Sequence, residues 1–117
     1  MTLIVERKTP WKANKFKAQP VVDPDHGRFD SKREHQRFHI LRMMEKAGHI
    51  QGLKRQVPYE LNVNGEHICK YIADFTYMDM TEGKGFVTED CKGFRTPEYK
   101  LKAKLFKAIF GREILET

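Results

Sequence analysis

The chain has 117 residues, of which 39% are hydrophobic and 32% are charged, and its formal net charge is +6. This length and composition are typical of one globular domain with a modest core, and no apolar run approaches the roughly 18 residues that a bilayer span requires. Two cysteines outside any CxxC pair exclude a disulfide scaffold and a zinc ribbon.

Residues 1–30 are predicted to form a basic arm. The first twenty residues carry five lysine or arginine side chains against one acid, and three of the five prolines fall before residue 31. This pattern predicts an extended segment with at most a short strand around Lys15 to Val22. The apolar start is followed at once by charged residues, so we expect no signal peptide and a cytoplasmic protein.

A helix is predicted from residue 32 to residue 47. Ser31 and Glu34 have the spacing of a capping box, and apolar residues then recur at helical period until Gly48, which favours the end of a helix. Glu34 lies at the edge of the apolar stripe, so it could face a sheet as well as water.

The hydrophobic pattern then changes to period two. Apolar residues alternate from Leu53 to Val63 and meet Asn64-Gly65, a strong hairpin signal, which predicts a second strand from His67 to about Asp79. After a turn at 81–85, a third strand is predicted over 86–92.

A second helix is predicted at the C-terminal end. Thr96 is typical of an N-cap, Pro97 of a first helical position, and Gly111 of the residue after Phe110 at the helix end. Residues 113–116 could add a last strand. The predicted fold class is therefore α/β (α+β), with the order α-β-β-β-α-β.

This layout would bring together three acidic side chains and one lysine that could act in catalysis, and Glu34 is one of the acids. Asp74 lies in an otherwise apolar strand, where a carboxylate needs a partner or a metal. Asp90 and Lys92 are two residues apart and leave the third strand on one face, and antiparallel pairing brings Asp74 close to them. Carboxylates that bind Mg²⁺ or Mn²⁺ beside a lysine favour phosphodiester hydrolysis. The spacing alone leaves a partly buried Asp90–Lys92 salt bridge as the alternative.

Five segments carry a wider resemblance. Their sequences are FDSKRE (29–34), LKRQVP (53–58), ADFTY (73–77), EDCKG (89–93) and YKLKAKL (99–105). Their order and spacing resemble those of small phage and prophage nuclease-like proteins with the PD-(D/E)XK restriction-endonuclease-like fold, which are akin to Holliday junction resolvases. The resemblance covers about residues 15 to 117.

The resemblance implies a mixed sheet flanked by helices over residues 31–117, and a metal-dependent nuclease site. Two departures from the family pattern are visible, because Asp90 replaces the commoner glutamate and Ala73 replaces the proline before the first acid. The catalytic residues that it implies are Glu34, Asp74, Asp90 and Lys92, with Gln56 as an accessory group. The expected ligands of Mg²⁺ or Mn²⁺ are Asp74, Asp90, Glu34 and the carbonyl of Cys91.

Several candidate residues have a structural alternative. Glu34 completes a capping box in its own right, and Gln56 could be an exposed strand residue. Glu89 competes with Asp90, but its alternation puts it on the face opposite Lys92. Two histidines, His35 and His39, have the i, i+4 spacing of zinc ligands, but no third ligand is evident and we interpret them as surface residues.

The positive charge favours a polyanionic partner. We predict a metal-dependent DNA endonuclease that acts as a homodimer on branched or otherwise structured DNA in phage replication or recombination, without a membrane or small-molecule partner. The alternatives are a non-catalytic nucleic-acid-binding protein that retains the fold, and an interaction protein. The predicted phosphate contacts are Lys15, Lys17, Lys32, Lys100, Lys104 and Lys107.

Overall fold

The computed structural model describes residues 19–81, 83 and 85–117. Lys15, Lys17 and the start of the predicted arm strand lie outside these residues. The chain divides into two compact units, Met1–His39 and Ile40–Thr117.

The first unit contains a hairpin of two short antiparallel strands, β1 (Val21–Asp23) and β2 (Gly27–Phe29). The carboxylate of Asp23 accepts hydrogen bonds from the backbone N–H groups of Asp25 and His26, at 2.8 and 3.1 Å, which closes the turn. The sequence predicted at most one strand in this region, so the second strand is a difference from that prediction.

The first helix, α1 (Lys32–Lys46), begins and ends as its sequence signals predict. The backbone N–H of Glu34 donates to Oγ of Ser31 at 3.1 Å, which is the N-cap bond of a capping box. Gly48 has a φ of 84° just beyond the C-terminus, a conformation that favours glycine. The boundary between the two units falls inside this helix, after His39.

The second unit contains a four-stranded sheet in the order β3-β4-β5-β6. Asn64 and Gly65 both have positive φ and join the first two strands in a tight turn, as predicted. The first three strands pair antiparallel and the last pairs parallel, so the sheet is mixed. The strands are β3 (Ile50–Val63), β4 (Glu66–Asp79), β5 (Gly85–Asp90) and β6 (Leu115–Glu116).

The second helix, α2 (Pro97–Phe110), lies between β5 and β6 in the sequence and packs on the sheet. Tyr99 and Phe106 from this helix form a buried cluster with Leu61, Tyr71 and Ala73. The predicted order α-β-β-β-α-β is therefore confirmed from α1 to β6. Neither described helix is long and apolar enough to cross a membrane.

Replacing Thr96 with alanine is expected to lower the free energy of unfolding by about 1 kcal/mol. Oγ1 of Thr96 accepts a hydrogen bond of 3.0 Å from the backbone N–H of Tyr99, which otherwise has no partner within the first turn of α2. Urea titrations of Thr96→Ala and Thr96→Ser test this cap. Serine should keep most of the stability, and an equal loss in both variants would contradict a capping role.

Candidate functional site

Asp90 and Lys92 form an ion pair at the end of β5. Nζ of Lys92 lies 3.1 Å from Oδ1 of Asp90, whose side chain is only 3% exposed, whereas that of Lys92 is 25% exposed. The backbone around them is fixed, because the N–H of Lys92 donates to the carbonyl of Thr117 and the N–H of Thr117 donates to the carbonyl of Asp90. The predicted contact between the two side chains is confirmed, but the predicted strand over 86–92 is too long, because β5 ends at Asp90 and Lys92 lies just beyond it.

Two tyrosines contact the Asp90–Lys92 pair. The hydroxyl of Tyr71 donates to Oδ2 of Asp90 at 2.5 Å. The ammonium of Lys92 lies 4.2 Å from the ring centre of Tyr99, a cation–π distance. Lys92 is therefore positioned by a carboxylate and by an aromatic face at once.

Both tyrosine hydroxyls remain protonated in the neutral range. Burial raises the pKa of Tyr71 far above its usual range, and the charge of Asp90 raises it further. Burial also raises the pKa of Tyr99, together with its hydrogen bond to Glu116 and the charge of Asp90. Tyr71 is consequently a constant hydrogen-bond donor to Asp90.

The raised pKa of Tyr71 predicts a loss of stability in alkali. The folded chain keeps a proton that the unfolded chain releases above about pH 10, so the free energy of unfolding falls as pH rises through that value. One such group contributes a slope of about 1.4 kcal/mol per pH unit. Urea titrations above pH 10 should show a shallower slope in Tyr71→Phe than in the parent chain, and an unchanged slope would contradict the assignment.

Asp74 joins the pair from the neighbouring strand. Its Oδ2 accepts a hydrogen bond of 2.9 Å from the backbone N–H of Cys91, the residue between Asp90 and Lys92. The pairing of β4 with β5 runs up to Phe75 and Glu89, so Asp74 and Asp90 occupy the next position on the two strands. The prediction that antiparallel pairing brings Asp74 close to the pair is confirmed.

Gln56 lies opposite Asp74 in the register of β3 and β4. The pairs on either side are Arg55 with Phe75 and Val57 with Ala73. Gln56 has a φ of 52°, which is uncommon for a residue other than glycine, and such backbone strain is concentrated at functional sites. Its side chain is exposed, as one of the two alternatives predicts, and its role beside a metal stays a prediction.

Glu89 has partners of its own. It is fully buried and accepts hydrogen bonds from the hydroxyls of Tyr77, at 2.6 Å, and Thr117, at 2.9 Å. Asp90 instead bonds with Tyr71 and Lys92. The alternation of β5 therefore gives the two neighbouring carboxylates separate surroundings, as predicted.

The chemistry of the donors fits Mg²⁺ or Mn²⁺. Asp74 and Asp90 occupy corresponding positions on adjacent strands, and the backbone carbonyl of Cys91 comes from the segment that the Asp74 carboxylate contacts. All three offer hard oxygen atoms. Mg²⁺ is commonly bound through one or two carboxylates and keeps several of its water ligands. Two aspartates are therefore enough carboxylate ligands for a site of this kind.

A family model described as "Protein of unknown function (DUF1064)" matches residues 13–115. The chain belongs to this family. No curated protein and no solved structure matches the chain. The DUF1064 match includes Asp74, Asp90 and Lys92, and its description states no function, so the role of these residues must be inferred from their chemistry.

Glu34 belongs to the first unit, where its backbone N–H makes the N-cap bond that the capping box predicts. Its side chain is buried, its backbone N–H bonds with Ser31, and its Oε1 accepts a hydrogen bond of 3.3 Å from the N–H of Asp30. Glu34 thus stabilises the start of α1. Its role in catalysis and metal binding stays a prediction.

The predicted row of lysines on α2 lines a groove of about 350 Å³, but its members differ. Lys107 lies 3.4 Å from a carboxylate oxygen of Glu113. Lys100 and Lys104 have no ion-pair partner among the residues that the structure describes. These two lysines therefore carry the available positive charge of the groove. Lys32 is exposed in the first turn of α1.

The interpretation that His35 and His39 lack a third ligand is wrong. Asp23, at the end of β1, places a carboxylate oxygen beside both imidazoles, and the three form a group that could bind a metal. The sequence signal was the turn segment 23–27 between the apolar residues Val22 and Phe29. That signal predicts a hairpin, which returns the chain to the start of α1.

Proposed function

We propose that this chain is a Mg²⁺-dependent endodeoxyribonuclease with a restriction-endonuclease-like core. The observation that carries the proposal is the cluster of Asp74, which lies within β4, with Asp90 and Lys92 at the C-terminal end of β5. Two carboxylates that can hold a metal, with a lysine beside them, suit metal-assisted phosphodiester hydrolysis. The mixed sheet with α2 packed on it is compatible with that fold.

Asp74 and Asp90 would hold the metal, with the Cys91 carbonyl as a further ligand. When bound, Mg²⁺ supplies an activated water and stabilises negative charge on the phosphate. The N–H of Cys91 orients Asp74, and the Tyr71 hydroxyl fixes one oxygen of Asp90. Lys92, held between Asp90 and Tyr99, would neutralise charge that develops on the substrate phosphate.

The substrate that we propose is branched or otherwise structured DNA, bound by a homodimer. A symmetric four-way junction requires two cuts, so a two-fold dimer would present one site to each cut strand. The groove beside α2 supports DNA as the polyanion, because Lys100 and Lys104 line it without a carboxylate partner in the described part of the chain.

Removing both groove lysines is expected to weaken the salt dependence of DNA binding. Each lost phosphate contact should reduce the slope of log affinity against log salt by about 0.9, so Lys100→Ala with Lys104→Ala should reduce it by about 1.8. Filter binding over a range of salt concentrations measures the slope. A matched double variant of the exposed strand residues Lys54 and Lys70 should keep the parent slope. Equal slopes for the two double variants would contradict a phosphate-binding groove.

A nicking assay tests the proposed activity directly. Supercoiled plasmid and a four-way junction are incubated with the chain in Mg²⁺, Mn²⁺ or Ca²⁺, and Asp74→Ala is the control. We expect cleavage in Mg²⁺ and Mn²⁺, none in Ca²⁺, and none by the variant at any metal concentration. Calorimetry should show a loss of Mn²⁺ affinity in Asp74→Ala, and unchanged affinity would contradict the metal site.

One observation favours the non-catalytic alternative. Both carboxylate oxygens of Asp90 are engaged, one by Lys92 and the other by Tyr71, as in a structural ion pair. A protein that retains the fold and binds DNA through the groove would show salt-sensitive binding without cleavage in the same assay.

A further inference from the structure

A second group of potential metal ligands lies in the first unit. Nε2 of His35 is 2.9 Å from Oδ2 of Asp23, Nε2 of His39 is 3.4 Å from the same oxygen, and the two nitrogens are 3.1 Å apart. His35 and His39 are one helical turn apart on α1, so both imidazoles leave the helix on one face. Asp23 reaches them from the end of β1.

No placement of protons can turn all three of these contacts into hydrogen bonds at once. Each imidazole nitrogen either donates one hydrogen or offers one lone pair, and an ionised carboxylate only accepts. If both nitrogens donate to Asp23, two N–H groups oppose each other at 3.1 Å. If only His35 donates, the lone pair of His39 faces the carboxylate oxygen. A cation between the three atoms removes the conflict, because it accepts a lone pair from each.

The spacing of the three atoms suits a small tetrahedral ion. Ligands at about 2.0–2.1 Å from tetrahedral zinc are about 3.3–3.4 Å from one another. The observed separations of 2.9, 3.1 and 3.4 Å need only small adjustments to reach that value. Two imidazoles and one carboxylate are also typical zinc ligands, whereas Mg²⁺ prefers oxygen alone.

Neighbouring groups fix the orientation of the Asp23 carboxylate. Its other oxygen, Oδ1, accepts from the backbone N–H groups of Asp25 and His26 and lies 3.3 Å from Nδ1 of His26. Oδ2 is thereby aimed at the two histidines. Such second contacts orient ligands at metal sites.

Aromatic packing restricts the two imidazoles as well. The ring of Phe29 lies 4.8 Å from that of His35, and the ring of Phe38 lies 5.6 Å from that of His39, measured between ring centres. Both phenylalanines are buried. The histidine side chains are therefore placed by packing, which reduces the entropy cost of binding an ion.

We propose that Asp23, His35 and His39 bind one Zn²⁺ ion, or a transition metal of similar preference, with water at the fourth position. The ion joins the end of β1 to α1 within the first unit. This site uses none of the residues assigned to the nuclease chemistry, so it is independent of the proposed function.

Cobalt spectroscopy and zinc competition test this site on the full chain. Co²⁺ in a tetrahedral site gives visible absorption, and we expect it to saturate at one equivalent and to be displaced by Zn²⁺. His39→Ala should weaken Zn²⁺ binding by more than about 100-fold, beyond the 10- to 100-fold effect of second contacts. His49→Ala, which changes an exposed histidine after α1, is the matched control and should bind as the parent does.

Two further variants keep the test decisive. His39→Gln removes the ligand at a half-exposed position, so its circular dichroism should match the parent while its Zn²⁺ affinity falls. Asp74→Ala should lose no Zn²⁺ affinity. The proposal is overturned if the parent chain binds no Co²⁺ or Zn²⁺ with defined stoichiometry, if the His39 variants bind like the parent, or if binding is lost in Asp74→Ala.

Discussion

Asp90→Asn is expected to abolish Mg²⁺-dependent cleavage, with a loss of at least about 1000-fold in rate. The change removes one charged oxygen ligand of the proposed metal, and a metal contributes several kcal/mol of transition-state stabilisation, of which 1000-fold represents about 4 kcal/mol. Binding to junction DNA should be equal or tighter, because one negative charge near the phosphate is removed. Single-turnover cleavage and filter binding on the same preparation separate the two effects.

Glu89→Gln is the matched control for this prediction. Glu89 is the adjacent carboxylate and is equally buried, but it bonds with Tyr77 and Thr117. We expect cleavage to persist and the free energy of unfolding to fall by about 1–3 kcal/mol, because a buried hydroxyl loses its charged acceptor. An inactive Glu89→Gln together with an active Asp90→Asn would contradict the assignment of Asp90 and Lys92.

The order of elements after residue 31 could be predicted because local signals coincide with tertiary structure. Asn64 and Gly65 occupy the positive-φ positions that a tight hairpin needs. β3, the first of the two strands that they join, alternates between exposed and partly buried residues along most of its length. Thr96 and Gly111 delimit α2 through hydrogen bonds made within a few residues. Each signal is local, so one sequence is sufficient to show it.

The central contacts of the candidate site could also be predicted from the spacing of residues in the sequence. Residues two apart on a strand share a face, so the predicted strand over 86–92 brings Asp90 and Lys92 together. In the structure β5 ends at Asp90, and the contact is made by a lysine just beyond the strand. Asp74 required one further step, the hairpin-like pairing of β4 with β5.

The remaining contacts depend on register and could not be predicted from spacing. Tyr71 bonds with Asp90 across 19 residues, and Tyr99 reaches Lys92 from a helix whose packing the sequence does not specify. The strained backbone of Gln56 has no sequence signal, since positive φ is not favoured for glutamine. Asp23 was missed for a different reason, because the hairpin that brings it to His35 was not predicted.

Lys92 is also expected to stabilise the fold, because it is the charged partner of a buried carboxylate. Lys92→Met keeps most of the side-chain length but removes the ammonium beside Asp90, a carboxylate that is 3% exposed. Breaking one partner of a buried ion pair typically costs 3–5 kcal/mol, and we expect about 3 kcal/mol because a quarter of the Lys92 side chain reaches solvent. Urea titrations measure this loss, and calorimetry should show that Mn²⁺ binding is largely retained, since lysine is not a ligand.

The double variant Asp90→Asn with Lys92→Met separates a structural pair from a catalytic one. Without the carboxylate, the missing ammonium leaves no uncompensated charge, so the double variant should recover much of the stability that Lys92→Met loses. A purely structural ion pair predicts that cleavage returns with stability. The proposed chemistry predicts the opposite, because the double variant lacks both a metal ligand and the cation that faces the phosphate. A stable double variant that still cleaves DNA would therefore remove Asp90 and Lys92 from the catalytic site.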